Sequence, residues 1–116
     1  MKIEELSVKC GLNTQTIDKI TGVLAQYSEV ESAILYGSRA KGNYRNGSDI
    51  DLTLTGKGLT YRILTRIEDK IDDLLLPYLF DLSILRQIEN TNVVEHIHRV
   101  GVLFYQRKEA LLQKAS

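Results

Sequence analysis

The stretch SAILYGSRAKGNYRNGSDIDLTLT, residues 32–55, decides the fold of this 116-residue chain. It opens with a short, mostly apolar run that ends at Gly37, which predicts a buried strand. Residues 39–48 are polar and contain glycines, so they predict a short helical turn followed by a loop. Over residues 49–55 leucines alternate with acidic and hydroxyl residues, which predicts a second strand with its acids on the face opposite its leucines.

Hydrophobic periodicity on both sides of this stretch predicts the remaining elements. We expect a short N-terminal helix that contains Cys10 and further helices over residues 13–27, 60–74 and 91–99, strands over 79–85 and 102–105, and a charged tail. No internal repeat or linker interrupts the pattern. The sequence therefore predicts one α/β (α+β) domain over residues 1–116, with a small mixed β-sheet flanked by helices and a motif-bearing core at about 30–106.

Composition narrows the classes of function. Fifteen basic and fifteen acidic residues leave no net charge, which argues against direct binding to nucleic acid. The single cysteine, Cys10, has no partner for an internal disulfide, and no apolar run approaches the ~20 residues that span a bilayer. We therefore expect a cytoplasmic protein that does not bind membranes.

Two carboxylates predict a metal site. Asp49 and Asp51 are two residues apart in a predicted strand, so their side chains emerge on the same face and repel each other unless a cation lies between them. Mg²⁺ prefers one or two carboxylates together with waters and substrate phosphates. A buried Asp81 in the apolar run of the third strand would need a partner, which a metal shared with this pair would supply.

The turn at Gly37 and Ser38 predicts a phosphate site beside these acids. Glycine lets a backbone approach a phosphate closely, and the Ser38 N–H and hydroxyl can donate to its oxygens. Arg39 and Lys41 add positive charge nearby. The nucleotide expected here is a nucleoside triphosphate bound with Mg²⁺.

The pattern Gly-Ser-x10-Asp-x-Asp, with a later aspartate on a strand, resembles the active-site signature of the DNA polymerase beta nucleotidyltransferase superfamily. Residues 35–42, 48–52 and 99–105 resemble its smallest members, the minimal nucleotidyltransferases. This resemblance implies that Asp49, Asp51 and Asp81 are catalytic and hold two Mg²⁺ ions. It also implies that the nucleotide contacts Gly37, Ser38, Arg39, Lys41 and Ser48.

The implied reaction is transfer of AMP from ATP to an acceptor hydroxyl. Minimal nucleotidyltransferases are commonly paired with a separately encoded helical protein of the HEPN class. The resemblance therefore implies a HEPN-type partner, modified on a tyrosine, with this chain as the antitoxin of a two-component system. The small size of the domain agrees with an acceptor surface supplied by another protein. The nucleotide base, the acceptor and the oligomeric state, including a homo-oligomer, stay open.

Two alternatives belong to other classes. A binding-only antitoxin would keep the fold and neutralise its partner by contact. Residues 6–17 also resemble a helix-turn-helix, which would make the chain a DNA-binding regulator, although the neutral charge opposes this. His96 and His98 are two apart on a predicted helix and so cannot share a metal, and we expect both to be structural.

Overall fold

The computed structural model describes residues 1–108 of the chain. Its strands are β1 (Ser32–Tyr36), β2 (Ile50–Thr55), β3 (Phe80–Ile84) and β4 (Val102–Gln106). Its helices are α1 (Ile3–Cys10), α2 (Thr14–Ala25), α3 (Ser38–Lys41), α4 (Tyr61–Asp72) and α5 (Thr91–Val100), with a 3-10 turn at Leu85–Gln87. The predicted α+β fold is confirmed, and the predicted charged tail lies mostly outside the described residues.

The four strands form one mixed sheet in the order β3-β2-β1-β4. Strand β1 is antiparallel to both β2 and β4, whereas β2 and β3 are parallel and are joined through α4. A parallel pair needs such a crossover because its strands run in the same direction. In this register Tyr36 is opposite Asp51, and Asp51 is opposite Asp81.

Local signals explain where the helices begin and end. The Asn13 side chain accepts from the Thr16 N–H, and the Thr60 hydroxyl accepts from the Ile63 N–H, so these two residues cap α2 and α4. Gly11 ends α1 in the left-handed conformation at φ 71°. Strand β2 begins at Ile50, so Asp49 lies just before the strand in which it was predicted.

The main core lies on one face of the sheet. Side chains from α1, α2 and α4 pack there against alternate residues of the strands. Core members that are no more than 2% exposed include Leu12, Ile17, Ile20, Leu24, Leu35, Leu52, Leu54 and Ile67. The first thirty residues thus complete the core, which leaves the opposite face of β1, β2 and β3 to carry polar side chains.

None of the helices within residues 1–108 has the length and apolar character needed to cross a bilayer.

Candidate active site

A cleft of about 310 Å³ lies on the polar face of the sheet. The strands contribute the side chains of Asp51 and Asp81, and the neighbouring helix α5 forms the other wall. The lining residues are Tyr36, Gly37, Asp51, Asp81, Asn92, Val93 and His96. The cleft therefore contains the glycine of the predicted phosphate turn and two of the three predicted catalytic carboxylates.

Gly37 adopts a conformation that other residues rarely take, with φ 74° and ψ −156°. A Cβ at this position would overlap Oδ2 of Asp51. The backbone of the turn therefore lies directly against the Asp51 carboxylate. This close approach explains why β1 is followed by a glycine. It also brings the predicted phosphate turn next to Asp51 and Asp81.

The two carboxylates of the cleft are next to each other on parallel strands. Burial raises the pKa of the half-buried Asp51, and the negative charges of Asp81 and Asp49 raise it further, while His96 acts in the opposite direction. Asp81 itself is exposed, because β3 is an edge strand. The sequence argument that Asp81 is buried was wrong, although its place beside Asp51 agrees with the predicted site.

The donor set fits a partial shell for Mg²⁺. Two neighbouring carboxylates that face an open cleft leave room for waters and phosphate oxygens, and a cation would relieve the repulsion felt by Asp51. Asp49 is exposed and lies outside the residues that line the cleft. Within residues 1–108, no three His, Cys, Asp or Glu side chains converge as a metal-binding group. The three-carboxylate site thus stays a prediction.

The other predicted nucleotide contacts lie around α3. Ser38 is half-buried at the start of this helix, and Lys41 is exposed at its end. The Ser48 hydroxyl accepts from the Arg45 N–H at 2.8 Å, which closes a turn just before β2. Contact of these three side chains with a nucleotide stays a prediction.

Arg39 does not point to the cleft. Its side chain is 1% exposed and its guanidinium lies 4.9 Å from the ring centre of Tyr78 and 5.4 Å from that of Tyr44. The guanidinium donates to four backbone carbonyls, those of Cys10, Gly11, Asn46 and Ser48. The structure therefore gives Arg39 a role in joining the α1–α2 turn to the loop before β2, in place of the predicted nucleotide contact.

His96 was not predicted to be a site residue, yet it lies in the cleft. Its Nε2 accepts the Gly37 N–H at 3.1 Å, and its ring meets the edge of the Tyr36 ring at a centroid distance of 6.3 Å. Asn92, Val93 and His96 recur at helical spacing, which shows that they share a face of α5. That spacing was visible in the sequence, but the element that this face meets was not.

The family model described as polymerase beta, nucleotidyltransferase matches residues 18–110. The chain belongs to this family. The predicted membership of the polymerase beta nucleotidyltransferases is thereby confirmed. The matched residues include the glycine turn and all three predicted catalytic aspartates. No curated protein matches the sequence.

Solved structures share the fold of this family member at low sequence identity. A chain of a toxin–antitoxin with AMP-PNP is 21% identical with a TM-score of 0.64, covering 83% of this chain and 78% of its own. A chain from the complex of tri-AMPylated Shewanella oneidensis HEPN toxin with MNT antitoxin is 18% identical with a TM-score of 0.60. The match covers 82% of this chain and 73% of its own. A chain of the toxin–antitoxin MntA-HepT is also 18% identical with a TM-score of 0.60, and the match covers 84% of this chain and 75% of its own.

The raised pKa of Asp51, which burial and two acidic neighbours cause, predicts an effect of pH on the stability of the fold. Its folded pKa is raised, so the stability linked to this group is fully present below its unfolded pKa and is lost as pH rises through the folded pKa. Asp51→Asn removes the charge and should raise the metal-free melting temperature at pH 7 by about 2–5 °C. The gain over wild type should shrink as the pH falls through the raised folded pKa of Asp51, and it should be lost below about 4.

Calorimetric melting of both proteins across this pH range checks the expectation. Asp18→Asn, at an exposed position on α2, is the matched control and should leave the melting temperature nearly unchanged. A loss of stability in metal-free Asp51→Asn at pH 7 would instead assign this carboxylate a structural role.

Proposed function

We propose that the chain is a Mg²⁺-dependent nucleotidyltransferase that transfers AMP from ATP to a tyrosine hydroxyl of a HEPN-type partner protein. In this role it is the antitoxin of a two-component system in the cytoplasm. One observation carries the proposal: the backbone of Gly37 lies against the Asp51 carboxylate in a cleft that Asp81 shares. This arrangement supports a site in which the turn binds phosphate and the two carboxylates bind metal.

The nucleotide part of the proposal rests on the turn after β1. Gly37 has no side chain to keep a triphosphate away, and Ser38 follows it with a hydroxyl and an N–H. The family match and the likeness to a toxin–antitoxin structure that contains AMP-PNP support ATP as the substrate.

Asp49, Asp51 and Asp81 would hold the two Mg²⁺ ions. When bound, the ions would supply positive charge that polarises the α-phosphate and offsets the charge of the departing pyrophosphate. The raised pKa of Asp51, which burial and its acidic neighbours cause, supports a site whose carboxylates need a cation.

The chain's own residues then orient the reactants and receive a proton. The acceptor oxygen forms a bond to the α-phosphorus while the bond to the bridging oxygen of pyrophosphate breaks. The proton of the acceptor hydroxyl goes to the carboxylate of Asp81, which is exposed at the edge of the cleft and so is accessible to a group on another protein. Asp81 is therefore the general base of the proposed reaction.

The partner part of the proposal rests on the open cleft and on the similar structures. One of these is a complex of an AMPylated HEPN toxin with an MNT antitoxin, and another is a toxin–antitoxin MntA-HepT. The cleft of this chain is bounded by an edge strand on one side, which leaves room for an acceptor segment to enter.

Intact-mass measurement tests the proposal. The purified chain is incubated with ATP, Mg²⁺ and the proposed HEPN-type partner, and we expect the partner to gain the mass of one or more AMP groups. EDTA and the Asp49→Asn/Asp51→Asn double variant should each abolish the gain. Asp69→Asn, which removes an exposed carboxylate on α4, should transfer AMP as the wild type does.

Other results would select a different function. Inhibition of the partner without any gain in mass would support the binding-only antitoxin. Modification of a small molecule in the absence of a partner would contradict the two-component part of the proposal. The helix-turn-helix alternative has less support, because the chain has no net charge and the buried Arg39 guanidinium binds the turn between α1 and α2.

A further inference from the structure

Helix α5 is attached to the sheet at its C-terminal end. Gly101 ends the helix, and a Cβ there would overlap the Ile97 carbonyl oxygen and lie 2.8 Å from Cγ2 of Ile34 on β1. This close packing sets the position of the whole helix above the polar face of the sheet. The face of the helix that carries Asn92, Val93 and His96 consequently lines the cleft.

His96 reaches the backbone of the phosphate turn from a position 59 residues away in sequence. Because the Gly37 N–H donates to Nε2 at 3.1 Å, the proton of the neutral imidazole is assigned to Nδ1. The Tyr36 ring packs against the imidazole at an interplanar angle of 77°. The imidazole is thus held between the residue that precedes the turn and the glycine of the turn.

This hydrogen bond restrains a peptide that α3 does not restrain. The first backbone hydrogen bond of α3 runs from the Lys41 N–H to the Gly37 carbonyl, so the Gly37 N–H lies ahead of the helix. Glycine has the widest range of backbone angles, and its orientation must be fixed by its neighbours. His96 supplies that constraint from outside the local sequence.

We infer that His96 is a positioning residue for nucleotide binding, which holds the Gly37 peptide in the orientation that the triphosphate requires. This inference rests on the proposed function, since it specifies how the same cleft is kept ready for its nucleotide. It assigns His96 no part in proton transfer. Loss of the contact should therefore weaken binding of ATP without slowing the chemical step.

Substitutions at His96 test this role against a purely structural one. His96→Leu removes the acceptor, whereas the amide oxygen of His96→Gln can replace Nε2. With Mg²⁺-ATP and the partner, His96→Leu should raise the KM for ATP about five- to tenfold, the effect of one hydrogen bond, with kcat within about twofold of wild type. His96→Gln should restore the wild-type KM to within about twofold. His98→Leu, exposed on the same helix, is the matched control and should change neither constant.

Amide hydrogen exchange of Gly37, measured by NMR on the isolated chain, gives a readout that does not depend on activity. Exchange should be faster in His96→Leu than in wild type and should be slowed again in His96→Gln. If His96→Leu fails to fold, His96→Asn, whose shorter side chain cannot reach the peptide, takes its place in both measurements.

The possible outcomes separate the two proposals. An unchanged KM in His96→Leu, a loss confined to kcat, or an equal effect of His98→Leu would overturn the role of His96. A wild-type chain that binds no ATP would overturn the proposed function. In that case the exchange of the Gly37 amide would still decide whether His96 holds the peptide.

Discussion

Gly37→Val is expected to fold and yet to lose at least about 100-fold in affinity for Mg²⁺-ATP. A β-branched residue at φ 74° is strained by about 1–3 kcal/mol, which is less than the stability of a typical domain of about 5–15 kcal/mol. Its Cβ would displace the Asp51 carboxylate, and its methyl groups would occupy the space that a phosphate needs. Isothermal calorimetry together with thermal melting separates loss of binding from loss of fold.

Gly42→Val is the matched control, because this residue also has a positive φ, 84°, and lies at the other end of α3. A Cβ there meets no atom within 4 Å. The control should therefore lose comparable stability and retain ATP affinity within about twofold of wild type. Wild-type affinity in Gly37→Val would show that the turn only connects β1 to α3.

Arg39→Met is expected to lower the free energy of unfolding by about 2–4 kcal/mol, and the melting temperature by roughly 10–20 °C. The substitution keeps much of the side-chain length but removes the donors to four backbone carbonyls, of which that of Cys10 lies in a buried contact. It also removes the cation–π contacts of the guanidinium with the rings of Tyr44 and Tyr78. Thermal melting of the metal-free chain is the measurement.

Arg45→Met is the control for this substitution, since Arg45 is exposed in the loop that follows α3 and should be replaceable with little change in stability. Arg39→Lys should recover only part of the loss, because an ammonium group cannot reproduce the planar set of guanidinium donors. If Arg39→Met melts like the wild type and has lost ATP affinity, Arg39 is a nucleotide contact after all.

The elements of this fold that depend on local patterns were predicted well. Alternating leucines identified β2, and hydrophobic periodicity identified the helices that Asn13 and Thr60 cap in the structure. These signals work because strand alternation, helical period and capping each involve residues close in sequence. The spacing of Gly37, Asp49 and Asp51 likewise indicated the chemistry, and the family match confirms the family that it indicated.

The roles or burial of three residues, Arg39, Asp81 and His96, could not be predicted from local sequence patterns. Arg39 is charged and near the motif, so it was expected to bind a nucleotide, but its carbonyl partners include those of α1 and of the turn after it. Asp81 lies within an apolar run, which predicted burial, but β3 is at the edge of the sheet and leaves it exposed. His96 contacts a glycine from which it is separated in the chain by α3, β2, α4, β3 and the 3-10 turn.

By itself, the sequence determined the mixed α+β domain, the family and the residue types that the proposed reaction needs. Only the tertiary structure decided which of those side chains face the same cleft. The physical reason is that a strand's pattern specifies which residues share a face, whereas the neighbour of each strand and the helix above it depend on contacts between distant segments. Strand order exposed Asp81, the packing of the α1–α2 turn buried Arg39, and the position of α5 brought His96 to Gly37.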